Sequence, residues 1–596
     1  MSASHDSAPR PQAETAVWLS AAGLAVGLFM IAGLLLLVAV KGLAVFWPRE
    51  VWLVTMRAEA GGTQRFAGSL VRVADTRGPE ASAVEHQYFT GNKEVYRLAF
   101  RRIEAARILE RTPAQGYWVA RRAEHGDAIF QPVALQFADG RRIGADAPDF
   151  EAALLGEVVD GNRRRAAILG LEKRRMPALA ERLQAGGTDA AEAQRQFEAL
   201  AAEARGLRAN QETVRLDVRL ASGEAVNYRV SDLLRLYRPD QLDFWGRLRV
   251  FSAGVIEFLR DEPREANTEG GVFPALFGTF VMTLLLAVLV TPFGVLTAVY
   301  LREYARQGLA VRTVRICVNN LAGVPSIVFG VFGLGFFVYG AGGFIDGGAR
   351  EPLPPVTWVF SAIGALVTLA AASWLAVVNG AQVPGLVRRS VWRRRLEGLL
   401  WVAGVLLLFV ALARCPYFGG LYRERLPAPT YGTGGLLWAS LTLALMTLPV
   451  VIVATEEALA AVPQGIREAA LAAGASRWQM IRRVVLPGAL PGVMTGVILA
   501  MARGAGEVAP LMITGVVKLA PTLPVDTVWP FLHPERKFMH LGFHIYDLGF
   551  QSPDAEAAIP MVFATTLLLL LLVLLLNLAA IQVRSRLRRR HRAGLF

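Results

Sequence analysis

The stretch that decides the fold reads REAALAAGASRWQMIRRVVLPGALPG and covers residues 467–492. Alanine and leucine favour helix in its first third, and Gly474 can break that helix because glycine adopts backbone angles that other residues avoid. A second helix is predicted from Ser476 to Leu486 and is ended by Pro487. Two short helices joined at a glycine, between two long apolar runs, predict a rigid projection from the face of a membrane.

Periodicity alone supports a second interpretation of this stretch equally well. The second helix carries arginines and a tryptophan, and such a helix can lie on lipid headgroups with its apolar face in the acyl boundary. The side chains that favour this alternative are Arg477, Trp478, Arg482 and Arg483.

Composition places the projection on a membrane protein. The chain has 596 residues, of which 54% are hydrophobic and 19% are charged, and the apolar residues gather into long runs. A membrane-spanning helix needs about 20 mostly apolar residues. Eight spans are predicted, at Val17–Val40, Phe273–Val299, Asn320–Ala341, Val356–Val378, Leu399–Ala413, Gly434–Ala454, Ala489–Val516 and Ile559–Ile581.

The formal net charge of +14 is better explained by membrane topology than by nucleic-acid binding. Arginines flank the predicted spans in short loops, as the positive-inside rule requires of cytoplasmic loops. Eight spans put the basic segments 301–315, 388–397 and 584–592 on one side, so we expect that side and both termini to be cytoplasmic. Cys317 and Cys415 then lie near opposite faces, and no disulfide or metal site is expected.

About 220 residues between the first two spans have a soluble character, and parity places them outside the cytoplasm. Hairpins are predicted at Val51–Val73, Val133–Gly144 and Val214–Val230, because each has a glycine-containing turn between apolar stretches. A surface helix is predicted at 188–207 and another helix at 244–259. This region is therefore predicted to be a small α+β domain.

The order of residues in the opening stretch resembles the EAA loop of ABC importer permeases. The matching residues are Glu468, Ala469, Ala470, Gly474, Val484, Leu486 and Pro487. In that family the loop forms coupling helices that seat in a groove of a separate cytoplasmic ATPase, so the resemblance implies that these residues dock such a partner.

Further segments look like the PstA-type permeases of phosphate importers, among them NNLAGVPSIVFGVFGLGFFVY, ARGAGEVAPLMITG and GNKEVYRLAF. The last of these lies in the predicted extracytoplasmic domain and points to a long form of the family. Residues 348–426 depart from the family pattern, because they add two spans where a short loop is expected.

A substrate path is predicted in the seventh span, where Arg503 and Glu507 lie inside an apolar segment and are four residues apart on one helix face. Charge inside a bilayer costs a few kcal/mol, so such residues face the protein interior or a water-filled path. A buried ion pair that only orients the bundle is the alternative. The phosphate that the resemblance implies favours the path, because the arginine fork suits phosphate.

Polar residues at the start of the third span are further candidates for the path, although they could equally cap or kink a helix end. These are Asn319, Asn320 and Ser326. His533, His540 and His544 cluster before the last span, but docking or packing explains them better than a metal does.

No GxxxxGK[ST] phosphate loop occurs in the sequence, so we expect no ATPase or other catalytic residues and no cofactor in this chain. The resemblance implies a PstC-like permease partner, a PstB-like ATPase dimer, a PstS-like phosphate-binding protein, phosphate as substrate, and a bacterial inner-membrane location. Alternatives are a permease for sulfate or molybdate, or a membrane sensor with an outer ligand domain.

The expected fold is an all-α polytopic membrane protein with a MetI-like permease core of about eight transmembrane helices and an α+β extracytoplasmic domain. The expected organisation, given by residue range, is a cytoplasmic tail at 1–16, an anchor helix at 17–47, the outer domain at 48–268, the permease domain at 269–583 with an inserted hairpin at 348–426 and a coupling loop at 455–488, and a basic tail at 584–596.

Overall fold

The structure is a computed structural model that describes residues 15–58, 61–77, 82–176, 179–180, 183, 190–211, 213–380, 391–420, 431–526, 529–552 and 555–592. Most of the predicted N-terminal tail, and parts of the predicted basic segments 388–397 and 584–596, lie outside these residues. The chain forms two compact units. The first comprises Met1–Arg165, Ala209–Leu276 and His544–Leu574, and the second comprises Ala166–Arg208, Phe277–Phe543 and Leu575–Phe596. The predicted domain boundaries remain predictions.

Eight described helices are long and apolar enough to cross a membrane, which confirms the predicted number of spans. Several extend beyond the predicted apolar runs because a helix continues through the polar residues that flank its apolar part. The observed spans are Val17–Ala44, Phe273–Tyr304, Ser326–Gly347, Pro355–Val378, Arg395–Ala413, Leu436–Ala460, Arg477–Gly506 and Ala558–Arg589.

The first unit contains two antiparallel sheets. One has the strand order β4-β3-β2-β1-β5, and the other has the order β10-β9-β7-β6-β11, with β8 paired to β7. The strands are β1 Trp52–Arg57, β2 Thr63–Arg77, β3 Ser82–Phe89, β4 Phe100–Glu104, β5 Ile108–Pro113, β6 Trp118–Arg122, β7 Ala128–Gln136, β8 Arg142–Gly144, β9 Arg215–Arg219, β10 Ala225–Arg229 and β11 Leu233–Tyr237, followed by the short pair β12 Pro263–Arg264 and β13 Glu269–Gly270.

All three predicted hairpins are confirmed, as β1–β2, β7–β8 and β9–β10. Their turns contain Gly61, Gly140 and Gly223, each with a positive φ that disfavours residues with a Cβ. Strands β3 to β6 and β11 to β13 were not predicted, because charged residues interrupt their apolar alternation. The helices described in and between these strands are α1 Thr15–Ala44, α2 Lys93–Tyr96, α3 Phe150–Gly170, α4 Ala190–Gln211 and α5 Phe244–Arg260.

A largely buried carboxylate connects helix α5 to the strands of the first unit. Glu257 lies 3.1 Å from Arg121, 3.3 Å from Arg235 and 2.7 Å from Arg264, measured between side-chain nitrogen and oxygen atoms. Burial alone raises the pKa of Glu257, but the three positive charges prevail and hold it below its usual value. One carboxylate thus holds β6, β11 and β12 to the helix that leads towards the second span.

The second unit is built on helices that approach closely at glycines. Gly294 of α6 lies against Val451 of α12, and Gly496 of α15 lies against Ala454 of α12, where an added Cβ would collide. Small residues at such contacts let helix backbones pack closely inside a membrane. The remaining helices are α6 Phe273–Val299, α7 Leu309–Leu321, α8 Ser326–Phe332, α9 Gly343–Gly347, α10 Pro355–Gly380, α11 Val391–Ala413, α12 Leu436–Ala460, α13 Gln464–Ala472, α14 Arg477–Met480, α15 Leu486–Gly506, α16 Ala509–Thr514, α17 Leu541–Tyr546 and α18 Ala555–Arg592.

Helices α10 and α11 pack against each other, which agrees with a two-helix hairpin in the segment 348–426. The indole Nε1 of Trp358 donates a 2.7 Å hydrogen bond to the carbonyl oxygen of Ala411, and Gly404 packs against Leu369. Large apolar residues on the outer faces of both helices are exposed, as expected of helices that border lipid. The turn between them, at 381–390, lies outside the described residues.

Candidate functional site

The predicted projection is present as two helices joined at Gly474. Helix α13 ends at Ala472, Gly474 has φ +84°, and α14 begins at Arg477. Ser476 caps α14 with a capping box, because its hydroxyl accepts from the Gln479 N–H while its own N–H donates to the Gln479 side chain. We call residues 464–480 the elbow.

The predicted end of the second helix at Pro487 is wrong. The helix that starts at Arg477 continues to Gly506, with a wider π-helical turn over Ile481–Val485 just before the proline. Proline lacks an N–H and crowds the preceding turn, and a wide turn accommodates both effects without ending the helix. Helices α14 and α15 therefore form one continuous run of helical residues, and the elbow lies at one of its ends.

Two arginines fix the elbow to the end of the second span. The guanidinium of Arg467 pairs with Glu303 at 2.5 Å and also donates to the carbonyl oxygen of Leu459. Arg477 donates to the backbone carbonyl of Glu303 and lies 5.5 Å from the ring centre of Tyr304. The Glu303 side chain is only 6% exposed, so this ion pair is shielded from water. Sequence reasoning missed the pair, because the charged neighbours of both residues resemble an ordinary polar loop.

Much of the surface of the elbow is exposed in the part of the chain that the structure describes. Helix α13 has no buried residue, and large apolar side chains of the elbow are exposed. These are Ile466, Leu471 and Trp478. Exposed apolar side chains grouped on a rigid element are typical of a surface that another molecule covers. Arg477, Trp478, Arg482 and Arg483 are all exposed, as the lipid-headgroup interpretation requires, and Arg477 also donates to the backbone carbonyl of Glu303.

The predicted shared helix face of Arg503 and Glu507 needs correction. Helix α15 ends at Gly506, and Glu507 has extended backbone angles of φ −79° and ψ 139°. The physical reason is Pro510, whose ring would clash with the carbonyl of Gly506 four residues earlier if the helix continued. A short helix, α16, then begins at Ala509, so the seventh span is broken within the predicted run Ala489–Val516.

The break lies halfway across the bundle. Gly504 packs against Leu286, which is the central residue of the 27-residue helix α6. On the other side of the break, Pro510 packs against Gly330 of α8. Backbone that is not helical at this depth is tolerated only where it is buried in protein or lines a water-filled cavity.

Arg503 and Glu507 remain neighbours across the break, with 3.7 Å between the arginine Nε and a carboxylate oxygen. Their side chains are 36% and 23% exposed, so neither is sealed into the interior of this chain. A Cβ added at Gly506 would meet nothing within 4 Å, in contrast to Gly504. The last turn of α15 thus packs on one face, and its arginine and glycine lie with the carboxylate of the next residue beside open space.

The structure does not bring the asparagines to this break. Asn319 and Asn320 are exposed at the end of α7, before the third span, which begins at Ser326 instead of Asn320. Their carbonyls accept from Ala322 and Gly323, as at an ordinary helix end. Ser326 is half-buried and starts α8, the helix whose Gly330 contacts Pro510. The role predicted for these three residues stays a prediction.

Two of the three histidines before the last span, His533 and His540, contact other polar groups of the protein. His533 lies 3.1 Å from Asp526 and 3.3 Å from Glu535. His540 is fully buried, its Nδ1 accepts from the Gly542 N–H, and burial lowers its pKa to about 3. Among the described residues no group of three or more His, Cys, Asp or Glu could hold a metal ion.

Comparison with known proteins gives a consistent result. Residues 398–589 match the family "Binding-protein-dependent transport system inner membrane component", a range that contains the elbow and the broken span. The chain is 26% identical to "Probable ABC transporter permease protein YqgH" of Bacillus subtilis, over 46% of this chain and 62% of that protein. It is 30% identical to "Phosphate transport system permease protein PstA 1" of Mycobacterium tuberculosis, over 41% and 51%.

It is also 28% identical to "Phosphate transport system permease protein PstC" of Mesorhizobium japonicum, over 44% of this chain and 61% of that protein. The chain thus spans roughly half to three-fifths of the length of these relatives. The resemblance to PstA-type permeases is confirmed at this level of identity, and the chain is a multi-pass membrane protein with a MetI-type domain.

Proposed function

We propose that this chain is a permease subunit of an ATP-driven importer. The premise is that residues 398–589 match the inner membrane component family of binding-protein-dependent transport systems. The importer's substrate is inorganic phosphate, and its membrane is the bacterial inner membrane with both termini in the cytoplasm. The chain supplies half of the pore, and a PstC-like subunit supplies the other half.

The main support for this proposal is that a single helix has the elbow at one end and the break at the other. The helix from Arg477 to Gly506 begins in the exposed elbow and ends at the break beside Arg503. Thirty helical residues extend about 45 Å, at about 1.5 Å per residue. A displacement of the elbow therefore reaches the middle of the membrane through a continuous, hydrogen-bonded element.

The elbow is the docking element for a PstB-like ATPase. Its apolar side chains insert into a groove of that partner, while Glu468 and its neighbours on α13 face the partner from an exposed helix. ATP-driven closure of two ATPase subunits moves the elbow and, through α15, opens or closes the break to either side. The chain carries out no covalent chemistry of its own.

Arg503 is the phosphate contact in the pore. The arginine fork matches phosphate oxygens and stays charged, and the open space at Gly506 leaves room for an anion near it. Discontinuous helices at the membrane midplane are a common way to build transporter binding sites. Glu507 orients the guanidinium through the 3.7 Å contact. A PstS-like binding protein delivers phosphate at the opposite side from the elbow.

The test is uptake of radiolabelled phosphate by cells that depend on this subunit. Arg503→Ala is expected to abolish uptake while the ATPase still co-purifies, and Gly474→Pro is expected to lose both. Normal uptake in both variants would contradict the site assignment. If sulfate or molybdate competed with phosphate uptake at equal concentrations, a permease for a different oxyanion would be favoured. If phosphate-stimulated ATP hydrolysis did not need this chain, a membrane sensor would be favoured.

A further inference from the structure

A cavity in the second unit shares none of its lining residues with the elbow or with the break. It is a cavity of about 650 Å³, of the size that small-molecule sites usually have, roughly 300–1,000 Å³. Its walls come from the π-helical stretch Gly333–Gly342 and from the C-terminal turns of α11, which belongs to the hairpin in 348–426. The side chains that form the apolar walls are Phe336, Tyr339, Phe344, Phe409 and Leu412.

The mouth of the cavity is charged and has an excess of positive charge. Arg350, Glu351 and Arg414 lie there, and Arg414 pairs with Glu351 at 3.3 Å. This pair leaves the guanidinium of Arg350 as a charge that Glu351 does not balance. The mouth therefore suits an anionic group, and the apolar walls behind it suit hydrocarbon.

The position of the cavity in the membrane decides which molecule combines these two properties. The walls belong to helices with the length and apolar composition of membrane spans, at Ser326–Gly347 and Arg395–Ala413. The charged residues follow or precede the ends of these spans, at the depth where lipid headgroups lie. Three spans separate this mouth from the elbow, so the mouth lies in the leaflet on the opposite side of the membrane.

We propose that this cavity binds a phospholipid with an anionic headgroup, with one acyl chain along Phe336 and Phe409 and the phosphate at Arg350 and Arg414. Phe409 and Leu412 sit on the hairpin and Phe336 sits on the helix next to α8, so the bound lipid fills the space between the hairpin and the helices near the break. The hairpin thereby gains a role, which is to build a lipid site at the edge of the bundle. This proposal does not depend on the identity of the transported substrate.

Three variants of the full-length protein, purified with its co-purifying subunits, test the proposal. Ala413→Trp places an indole in the cavity, because Ala413 lines it. The double variant Arg350→Ala/Arg414→Ala removes the cationic mouth and keeps the walls. Leu406→Trp is the matched control, since Leu406 is exposed on the same helix and does not line the cavity.

The probe is a phosphatidylglycerol with a photoactivatable diazirine in one acyl chain, with phosphatidylcholine of the same chain length as its neutral counterpart. Native protein and Leu406→Trp should be labelled on α11 or on 333–344, with a roughly fivefold preference for phosphatidylglycerol. Ala413→Trp should lose this labelling, and the double variant should keep it without the preference.

Labelling that is equal in all four proteins would overturn the proposal. So would labelling that is absent in the assembled complex but present in the isolated chain, since that result would show that a partner subunit covers the cavity. Phosphate uptake by the Ala413→Trp variant separates this proposal from the proposed function, because a lost lipid site with intact uptake leaves the transport assignment unaffected.

Discussion

Replacement of Gly474 by alanine tests the elbow with a change that touches nothing else. An added Cβ at this position meets no atom within 4 Å, so the substitution creates no clash with neighbouring groups. The cost comes only from the backbone, because φ is +84° and residues with a Cβ lose about 1–2 kcal/mol in that region. Alanine therefore favours an elbow of different shape.

The size of the effect on partner binding follows from this strain. If docking requires the observed elbow, a loss of about 1–2 kcal/mol reduces the apparent affinity for the ATPase by at most roughly 5–30-fold. Gly474→Asn should fall between glycine and alanine, because asparagine tolerates the left-handed region better than alanine does. The assay is phosphate-stimulated ATP hydrolysis by the reconstituted complex, titrated with the ATPase subunit.

Gly465→Ala is the matched control. Gly465 also has no atom within 4 Å of an added Cβ, but it lies inside helix α13 with an ordinary φ. Alanine should stabilise that helix by up to about 1 kcal/mol. If Gly474→Ala and Gly465→Ala titrated alike, the strained turn at Gly474 would not matter for docking and the reasoning would be refuted.

Three further changes have defined outcomes. Glu303→Gln leaves the largely buried Arg467 without a counter-charge and should destabilise the protein by about 3–5 kcal/mol in thermal unfolding. Glu456→Gln removes the partner of Arg315 in a more exposed ion pair and should cost about 1 kcal/mol or less, so equal losses in the two variants would contradict the special role of the shielded pair. Arg503→Lys should retain part of the phosphate uptake that Arg503→Ala loses, because lysine keeps the charge without the fork, and full activity of the alanine variant would remove Arg503 from the pore. Glu269→Gln should raise the melting temperature by a few degrees at pH 8 and leave it unchanged below pH 4.5. Burial, with the nearby Asp127, raises the pKa of Glu269 from 4.5 to about 7, so the stability that its protonated form provides is present at low pH and is lost as the pH rises through 7. A melting temperature of the variant that falls at pH 8 would contradict this sign.

The number of spans and the elbow could be predicted from the sequence because both depend on local patterns. A run of about 20 apolar residues has few alternatives to a membrane helix, and a glycine between two helix-forming segments favours a bend wherever it occurs. The three hairpins were equally local, each with a glycine in the turn. The strands β3 to β6 were missed because charged residues interrupt the alternation of apolar residues along them, although β3 and β6 pair with strands that are close in sequence.

The helix break and the Glu303 pair depend on tertiary structure, which explains why the sequence did not predict them. Proline lies inside several helices of this chain without ending them, for example Pro292 and Pro449. The presence of Pro510 in the sequence therefore does not by itself predict that the helix ends there. Glu303 and Arg467 are 164 residues apart, and each sits among other charges that are exposed. Only packing of the elbow against the end of α6 selects this pair from its neighbours.

The elbow and the break are joined by two helices rather than one. At the elbow, Arg467 and Arg477 hold Glu303 just after α6; at the break, Leu286 of α6 packs against Gly504 of α15. At about 1.5 Å per residue, the helical path from Leu286 to Glu303 is about 26 Å long and the path from Arg477 to Gly504 is about 40 Å long. The two paths therefore connect the same two contact points. If α15 moved alone, loss of the shielded ion pair at Glu303 would cost about 3–5 kcal/mol. A cavity opened at Leu286 would cost about 2–5 kcal/mol. Movement of both helices together has neither cost. Because α12 packs closely on Gly294 of α6 and on Gly496 of α15, a push on the elbow should turn all three helices as one body and carry Arg503 with them.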